Sequence, residues 1–409
     1  CTPQAYGYNT WSVSNLPIIP TKFGLEVKKV RKDGKQIDDY GALKQVNIIK
    51  GLLEKAEEII VATDAGREGE LIFRNIYYYL GSKVPFKRLW ISSQTDKAIK
   101  EGFANLKDGT EYDSLYQSAR SRSESDWLIG INATQAITLA AGNKGLLSLG
   151  RVQTPTLAMI CSRYLENKDF KPQAFYKIQA GFEKENISFK ATSDKIDKKD
   201  VAEETIAKIT VGSEAKIVKV EAKETKEQPP LLFDLTSLQQ DANKKYGYSA
   251  DQTLSIAQTL YEKKVITYPR TGSRYIGEDV FEQIESLFQH LADTADESIA
   301  AISRNLLGAK LNKRSVDDKK VTDHHALLVT DEKPGPMLKE QQNIYNMIAK
   351  RMVESFSEVC LKDITTVNID AAGVELIAKG TVIKQYGWRL SADQVEAPDE
   401  DKNTDDQDN

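Results

Sequence analysis

Residues 57–80 read EEIIVATDAGREGELIFRNIYYYL, and this stretch decides the fold class. Glu57 to Thr63 centres on the apolar run Ile59-Ile-Val-Ala62, the mark of a short buried strand. Asp64-Ala-Gly-Arg-Glu-Gly-Glu70 reads as a turn, and Leu71 to Leu80 follows as a helix. Strand, turn and helix in this order make a βα unit. Its acids fall at the strand's carboxyl end, where open α/β sheets place their sites. Arg88-Leu-Trp-Ile-Ser92 reads as the next strand. Asp96 to Leu106 reads as an amphipathic helix capped by Thr95 or Asp96. Residues 1–96 are therefore expected to be α/β.

Beyond that unit, residues 112–166 read as mostly helical, interrupted at Gly142-Asn-Lys-Gly145. Strands are expected at Tyr176 to Phe182, Ile187 to Thr192 and Glu214 to Ala222. A helical block runs from Leu235 to about Lys264, and helices resume at Gly277 to Ser303 and Lys339 to Phe356. Strands at Ile364 to Ile369, Val374 to Gly380 and Val382 to Tyr386 follow. The order predicts a β region crossed twice by the chain, with a helical domain inserted between the crossings. There are no internal repeats.

At 409 residues the chain has room for two to four domains. Charged residues at 28% and hydrophobic ones at 40% fit a soluble globular protein. No apolar run approaches the ~20 residues of a membrane span, and no signal-peptide pattern is visible. Cys1, Cys161 and Cys360 are far apart and odd in number, against a disulfide framework or a structural zinc site. A cytoplasmic protein fits. The net charge of −4 is set by Glu396 to Asn409, which carry seven acids and one lysine, so the rest of the chain is +2. That body can hold local basic patches, and the acidic tail is expected to be disordered. The first residue is Cys1 rather than Met, so the chain is expected to begin part-way through a protein.

Four segments carry chemistry. Asp64 and Glu68 put two carboxylates near a helix N-terminus, a donor set that suits Mg²⁺. They are equally readable as a capping acid and an exposed helix acid. Arg67 beside them can contact a phosphate. Ser148-Leu-Gly-Arg-Val-Gln-Thr-Pro155 precedes an apolar helix. Gly150 allows close backbone approach, and Thr154 with Pro155 makes a helix start. Arg151 and Gln153 can reach a phosphate or a base edge, and the segment also reads as an ordinary capping loop. Asp323-His-His-Ala326 offers a phosphate-contacting or a buried structural histidine. Val265-Ile-Thr-Tyr-Pro-Arg-Thr-Gly-Ser-Arg274 puts Tyr268 two residues before Arg270. Pro269 fixes φ near −65°, stiffening the turn between them. A phenol is a poor nucleophile at neutral pH. A neighbouring guanidinium stabilises the phenolate and the pentacovalent phosphate. Gln228 to Gln239, with its Pro229-Pro230, reads as a rigid junction before a helix capped by Asp234 or Thr236.

In this order the segments ATDAGREGELIFR, RLWISSQT, SRSESDWLIGINATQA, SLGRVQTPTLAMI, QPPLLFDLTSLQ, LYEKKVITYPRTGSRYI and VTDHHALLVT resemble the type IA DNA topoisomerases, specifically the bacterial topoisomerase III branch. The similarity runs from about Trp11 to Trp388. It implies a multidomain α/β plus α+β chain: a Toprim α/β domain followed by a torus of helical domains and β arches. The implied divisions are a Toprim domain at 1–96, a helical gate-base domain at 110–172 with a DNA groove, and a β arch at 173–232 with 360–390. A helical domain carrying the tyrosine fills 233–359, and the acidic tail is 391–409.

The resemblance also implies roles. Tyr268 would attack a single-strand phosphodiester, forming a 5′-phosphotyrosine ester that preserves the bond energy, so religation needs no ATP. Arg270 would stabilise the transition-state phosphate, Thr267 would pack beside the nucleophile and along the DNA, and His324 would contact the scissile-strand phosphate. Asp64 and Glu68 would hold Mg²⁺ or shape an acidic cluster, with Glu68 in the catalytic set. Ser148, Leu149, Gly150, Arg151, Val152 and Gln153 would lie on a single-strand DNA groove, with Arg122, Asp126 and Arg67 near it. The implied activity is relaxation or decatenation by strand passage. The implied partners are single-stranded DNA, negatively supercoiled or catenated duplex, and a helicase, for a monomer in the bacterial cytoplasm at the nucleoid.

The chain departs from the family in three ways. Gly66 stands where many members have the middle acid of Asp-x-Asp-x-Glu, and Gly272 where many have Asp. Nothing before Trp11 matches the family's first Toprim strand, which carries a Glu and a Lys. That Glu would be the general acid for the leaving 3′-oxygen, so its loss would cost about 10²–10⁴ in rate. The chain also stops after the second β arch. A fragment cut at both ends is thus expected. It would be either an active topoisomerase or a chain that grips single-stranded DNA without completing the cycle. A Toprim-type nuclease would leave Tyr268 and SLGRVQTP without a purpose.

Overall fold

The computed structural model describes residues 3–391 apart from 9, 33–34, 93–94, 143, 185–186 and 322. Cys1, Ser93 and Gln94 of RLWISSQT, Thr322 of VTDHHALLVT and the acidic tail from Ala392 lie outside the described residues. The chain divides into two compact units, residues 1–170 and 171–409.

In the first unit, β1 (Lys29–Lys32) and β2 (Lys35–Asp38) form an antiparallel hairpin. Helix α1 (Tyr40–Leu53) follows, its first turn capped by the Asp39 carboxylate, which accepts from the Ala42 amide at 2.9 Å. Then comes the βαβ unit that the opening stretch predicts: β3 (Ile59–Val61), α2 (Arg67–Tyr79) and β4 (Phe86–Arg88). Strands β3 and β4 pair in parallel with Val61 opposite Arg88. After α3 (Asp96–Ala104), capped by Thr95, β5 (Lys107–Asp108) joins β4 antiparallel.

Two of the boundaries that differ from the sequence reading bear on the site. Helix α2 starts at Arg67 rather than Leu71, because Gly66 takes the extended N-cap conformation and Glu68 and Glu70 suit the first turn. The β4 strand covers 86–88 rather than 88–92, since β3 ends at Val61 and offers no partner further on.

Helix α4 (Asp113–Ala140) is 28 residues long, and α5 (Gln153–Lys168) follows after a loop. The amino-terminal segment straps onto α4. The Asn132 amide accepts from the Ile18 N–H at 2.5 Å and donates to the Ile18 carbonyl at 2.9 Å, imitating a strand partner for the fully buried Ile18. Trp127 meets Tyr6 and Phe23 edge-on, each at 5.6 Å.

In the second unit, β6 (Gln179–Lys184), β7 (Ile187–Thr192), β8 (Lys216–Glu227), β9 (Cys360–Ala371) and β10 (Val374–Gln385) form one sheet, with α6 (Lys199–Ile206) between β7 and β8. The order is β6-β7-β10-β9-β8, antiparallel throughout. The expected strands at 374–380 and 382–386 are one continuous strand, because Gly380 and Thr381 stay paired with Thr365 and Ile364 of β9. The β9–β10 turn uses Ala372 (φ 56°) and Gly373 (φ 81°), the two positive values that a tight hairpin of right-handed twist requires.

Between β8 and β9 come α7 (Leu235–Tyr246), α8 (Ala250–Glu262), α9 (Glu278–Phe281), α10 (Ile284–Thr294), α11 (Glu297–Leu306) and α12 (Lys339–Phe356). Their shared core includes Leu238, Leu260, Phe288, Ile348, Met352 and Phe356. Nine residues of α12 are buried, more than in any other described helix, so α12 is the centre of this cluster. Arg351 of α12 reaches α7: its guanidinium lies 3.9 Å over Phe233 and 2.8 Å from Asp241. Asp234 and Ser237 close a capping box on α7. Among the described residues no helix is long and apolar enough to cross a membrane.

One close approach fixes where α2 begins. A Cβ on Gly69 would stand 2.1 Å from the Asp64 carbonyl oxygen and 2.8 Å from its nitrogen. The Thr63 hydroxyl closes the same turn by donating to the Gly69 carbonyl at 2.8 Å. Gly69→Ala should therefore destabilise the first unit by about 1–3 kcal/mol, the cost of overpacking against backbone. Urea denaturation checks this, and an unchanged midpoint would show that α2 can slide away from the strand end.

Candidate active site

The carboxyl end of β3 rests on buried charge. Arg88 is fully buried. Its Nη1 donates to the carbonyls of Val61 (2.9 Å), Thr63 (2.7 Å) and Leu89 (3.1 Å), and its Nη2 to that of Asp64. Glu70, equally buried, accepts from Arg74 Nε at 2.8 Å and lies 3.1 Å from Arg88 Nε without hydrogen-bond alignment. Arg74 also reaches Asp113 at 2.8 Å and the Gly109 carbonyl at 2.8 Å. Burial pulls the Arg88 guanidinium below its usual pKa against the opposing pull of Glu70. These charges hold backbone, while the exposed acids Asp64 and Glu68 stand at the surface above them.

Four charges of this unit alternate. Glu68 lies 3.5 Å from Arg122, one helical turn from Asp126 on α4, and Asp126 lies 2.7 Å from Arg151. The hydrogen bond from Arg151 holds the Asp126 carboxyl below the usual carboxylate range. Both arginines are thus occupied by carboxylates, and a phosphate would have to displace these. Arg67 is exposed and makes no ion pair among the described residues.

The donor set at the strand end is two exposed carboxylates, Asp64 and Glu68. Among the described residues no group of three or more His, Cys, Asp or Glu could hold a metal ion. Such a pair fits Mg²⁺, which takes one or two carboxylates and completes its shell with water and phosphate.

The loop 148–155 is stitched to α4 by hydroxyls. Thr134 Oγ1 accepts from Leu149 N and Thr138 Oγ1 from Leu147 N, each at 3.0 Å. Ser148 Oγ accepts from Gln153 Nε2, and Thr154 Oγ1 from Gly150 N, each at 3.0 Å. Helix α5 starts at Gln153, with Pro155 in its first turn. The nearest atom to a Cβ on Gly150 is the flexible Gln153 side chain at 3.3 Å, not backbone. Leu149, Gly150, Val152, Gln153, Thr156, Leu157 and Ile160 line an open groove of about 680 Å³.

In the second unit, residues 265–268 run beside 326–329. Ile266 bridges Val329, and Thr267 N donates to Leu328 O at 2.9 Å. Thr267 Oγ1 accepts from Leu328 N at 3.0 Å, and Thr271 Oγ1 donates to His324 O at 3.0 Å. This pairing brings His324 to Tyr268, with ring centroids 4.6 Å apart. Tyr268 is half-buried and Pro269 buried, while Arg270 is exposed and has no ion pair among the described residues. A Cβ on Gly272 would meet nothing within 4 Å, so an acid there would be accommodated.

Residues 110–408 match the DNA topoisomerase family and residues 15–94 match the Toprim domain. The chain belongs to the DNA topoisomerase family. It is 38% identical to DNA topoisomerase 3 of Bacillus licheniformis over 98% of this chain and 55% of that protein. DNA topoisomerase 3 of Bacillus cereus is 41% identical over 95% of the chain and 52% of that protein. The topoisomerase chain thus spans about half the length of the curated relatives it matches. Full-length topoisomerase I from Thermotoga maritima, at 23% identity, shares the fold with a TM-score of 0.63 over 88% of this chain and 59% of that one. The fold is a Toprim domain joined to a type IA topoisomerase fold, with mixed helices and sheets and, among the described residues, no barrel.

Sequence reading alone missed Arg88, Glu70 and Tyr261 of this topoisomerase chain. Two of them left a signal. Arg88 is a charge directly before the apolar Leu89-Trp-Ile91, and Glu70 and Arg74 are spaced to pair on one helix face. The paired histidines divide. His324 sits at Tyr268, while His325 turns inward and its Nδ1 donates to Ala326 O at 2.7 Å. Burial pushes His325 below the usual histidine pKa. A neutral folded-state histidine contributes stability that is full above about pH 6.5 and lost as pH falls through the folded pKa. Stability should fall more steeply below about pH 6.5 in the parent than in His325→Gln. Equal slopes in denaturation midpoints across that range would show that His325 takes up its proton in place.

Proposed function

We propose that this chain is the cleavage and religation part of a topoisomerase III-like enzyme. Tyr268 Oη attacks a phosphodiester in single-stranded DNA and breaks the P–O3′ bond. A 5′-phosphotyrosine ester forms and a free 3′-hydroxyl departs. The 3′-hydroxyl later attacks the ester and restores the bond without ATP, after another strand has passed. The observation that carries this reading is that half-buried Tyr268 stands two residues before Arg270, an exposed guanidinium that no carboxylate pairs among the described residues. His324, against the Tyr268 ring, would contact the scissile phosphate.

The relatives' name, DNA topoisomerase 3, supports DNA as substrate. The substrates proposed are single strands and supercoiled or catenated duplexes at the nucleoid, with a helicase as co-worker. Ser148 to Gln153, with Arg122, Asp126 and Arg67, would line the strand's path, and Thr267 would flank the nucleophile. Asp64 and Glu68 would hold Mg²⁺, which supplies charge neutralisation at phosphate oxygens. The domain divisions proposed are 1–96, 110–172, 173–232 with 360–390, and 233–359. The sheet built from strands on both sides of α7–α12 supports the last two.

A second reading, a strand-gripping chain that does not complete the cycle, is favoured by one observation. Gly66 leaves only two carboxylates in the acid set. Gly66 is an extended N-cap without a side-chain bond, a position that prefers Asp. Gly66→Asp should tighten Mg²⁺ binding several-fold in calorimetric titration and leave stability within about 1 kcal/mol. Unchanged Mg²⁺ affinity would show that the strand end is not the metal's place.

Covalent trapping separates the two readings. A labelled single-stranded oligonucleotide with Mg²⁺ should yield a denaturant-stable protein band that Tyr268→Phe abolishes and Arg270→Ala reduces by about 10²-fold or more. Binding without a band would favour the gripping chain. An equal band from Tyr268→Phe would sink the nucleophile assignment.

A further inference from the structure

We propose that Tyr261 is a positioning residue for the nucleophile: its ring fixes the orientation of the Tyr268 ring. This rests on the reading of Tyr268 as the attacking group. Tyr261 stands in the last turn of α8, seven residues before Tyr268. The two rings meet edge-to-face, with centroids 5.2 Å apart and planes at 72°. That lies inside the range in which aromatic quadrupoles attract.

The chain brings the rings together through a tight helix ending. Lys264 adopts φ +64°, in the left-handed region. Its amide donates to the Tyr261 carbonyl at 2.8 Å, and the Val265 amide donates to the Leu260 carbonyl at 3.1 Å. This is the two-bond helix stop known as the Schellman motif, with a lysine where glycine is usual. Leu260 and Val265, both buried, close the apolar contact beneath it. The reversal sends Val265 to Tyr268 back past the end of α8, and Thr330 N fastens it by donating to Val265 O at 3.1 Å. Tyr261 therefore reaches Tyr268 by backbone geometry, not by a flexible arm.

What remains loose in Tyr268 is its side chain. Thr267 and Thr271 bind the segment 324–328 and so fix the backbone on both sides of the tyrosine. One torsion, χ1, still sets where the phenol oxygen lies, while χ2 turns the ring plane about the axis that carries it. Two rings contact it, His324 at 4.6 Å and Tyr261 at 5.2 Å. His324 has a polar tip that can turn to a phosphate. The Tyr261 hydroxyl has no hydrogen bond among the described residues, so its contribution is the ring alone. Misplacing a reacting atom by about 1 Å costs on the order of 10² in rate, so the orientation matters to the chemistry.

The ring-only role dictates the variants. Tyr261→Phe keeps the contact and Tyr261→Leu removes it while leaving an apolar side chain in place. The first readout is the aromatic carbon–proton NMR spectrum, with Tyr268 assigned by its disappearance in Tyr268→Phe. The Tyr268 resonance should coincide in the parent and Tyr261→Phe, and should shift and sharpen in Tyr261→Leu as ring current and restraint are lost. An unmoved resonance in Tyr261→Leu overturns the proposal whatever the chemistry. The second readout is single-turnover adduct formation on a single-stranded oligonucleotide. Tyr261→Phe should stay within about twofold of the parent. Tyr261→Leu should slow by about 10- to 100-fold with the oligonucleotide Kd unchanged. Because cleavage and religation share one transition state, both directions should slow alike and their equilibrium should stay put. A selective rise in Kd, or a loss shared equally by Tyr261→Phe, overturns positioning. Should the parent form no adduct while the Tyr268 resonance still answers to Tyr261→Leu, the cleavage reading of this chain fails in favour of the gripping chain and the ring contact stands.

Discussion

The first unit depends on a guanidinium that water does not reach. Arg88 spends its donors on carbonyls at the end of β3, and Glu70 balances its charge from α2. Removing one partner of a buried ion pair costs about 3–5 kcal/mol, because the other charge is left uncompensated. Strand end and helix start are therefore locked together. Gly69 completes the lock by letting α2 touch the Asp64 backbone, which an alanine would prevent. Asp64 and Glu68 owe their neighbourhood to this arrangement and not to any bond between themselves.

The surface charges behave differently. Arg122 and Arg151 are roughly two-fifths and one-half exposed and paired with Glu68 and Asp126. Exposed pairs of this kind add little to stability, because solvent screens them and ordering two long side chains costs entropy. They are cheap to open, and a polyanion offers a row of charges where each carboxylate offers one. On the proposed function, such pairs would keep the arginines extended until a polyanion took them over. Arg270 needs no exchange, since no carboxylate neighbours it among the described residues. The arginine proposed to touch the reacting phosphate is therefore the one that no carboxylate pairs among the described residues.

Much of this was legible in the sequence. The run IIVATDAG marked β3 through its apolar core and the helix through its turn residues. Helix α12 was bounded correctly because its apolar period is long and Leu338 precedes a clean start. The failures share a cause. Propensity cannot see partners: β4 stopped where β3 ran out, and Gly380 stayed in a strand because β9 lay beside it. Helix α1, the β1–β2 hairpin and α6 escaped notice, since their faces are half exposed and their apolar pattern is weak. At the site, the motifs marked Tyr268 and Arg270. Nothing local marked Tyr261, whose relevance comes from a left-handed lysine three residues on.

Both units solve one problem in the same way. A group that is to meet a ligand cannot be held firmly by its own tip, and Arg122 and Arg151 are held there only by exposed pairs that open cheaply. Here the anchors are taken from neighbours and applied to backbone. Arg88 holds the carbonyls around Asp64, Thr134 and Thr138 hold the amides around Ser148, and Thr267 and Thr271 hold the strand on either side of Tyr268. Hydroxyls suit this task because one short side chain can accept and donate at once. The result is fixed main chain beneath side chains whose ends face outward. That also explains why the ring of Tyr268 needs a separate restraint. Backbone anchoring stops at Cα, and only packing can fix the torsions beyond it.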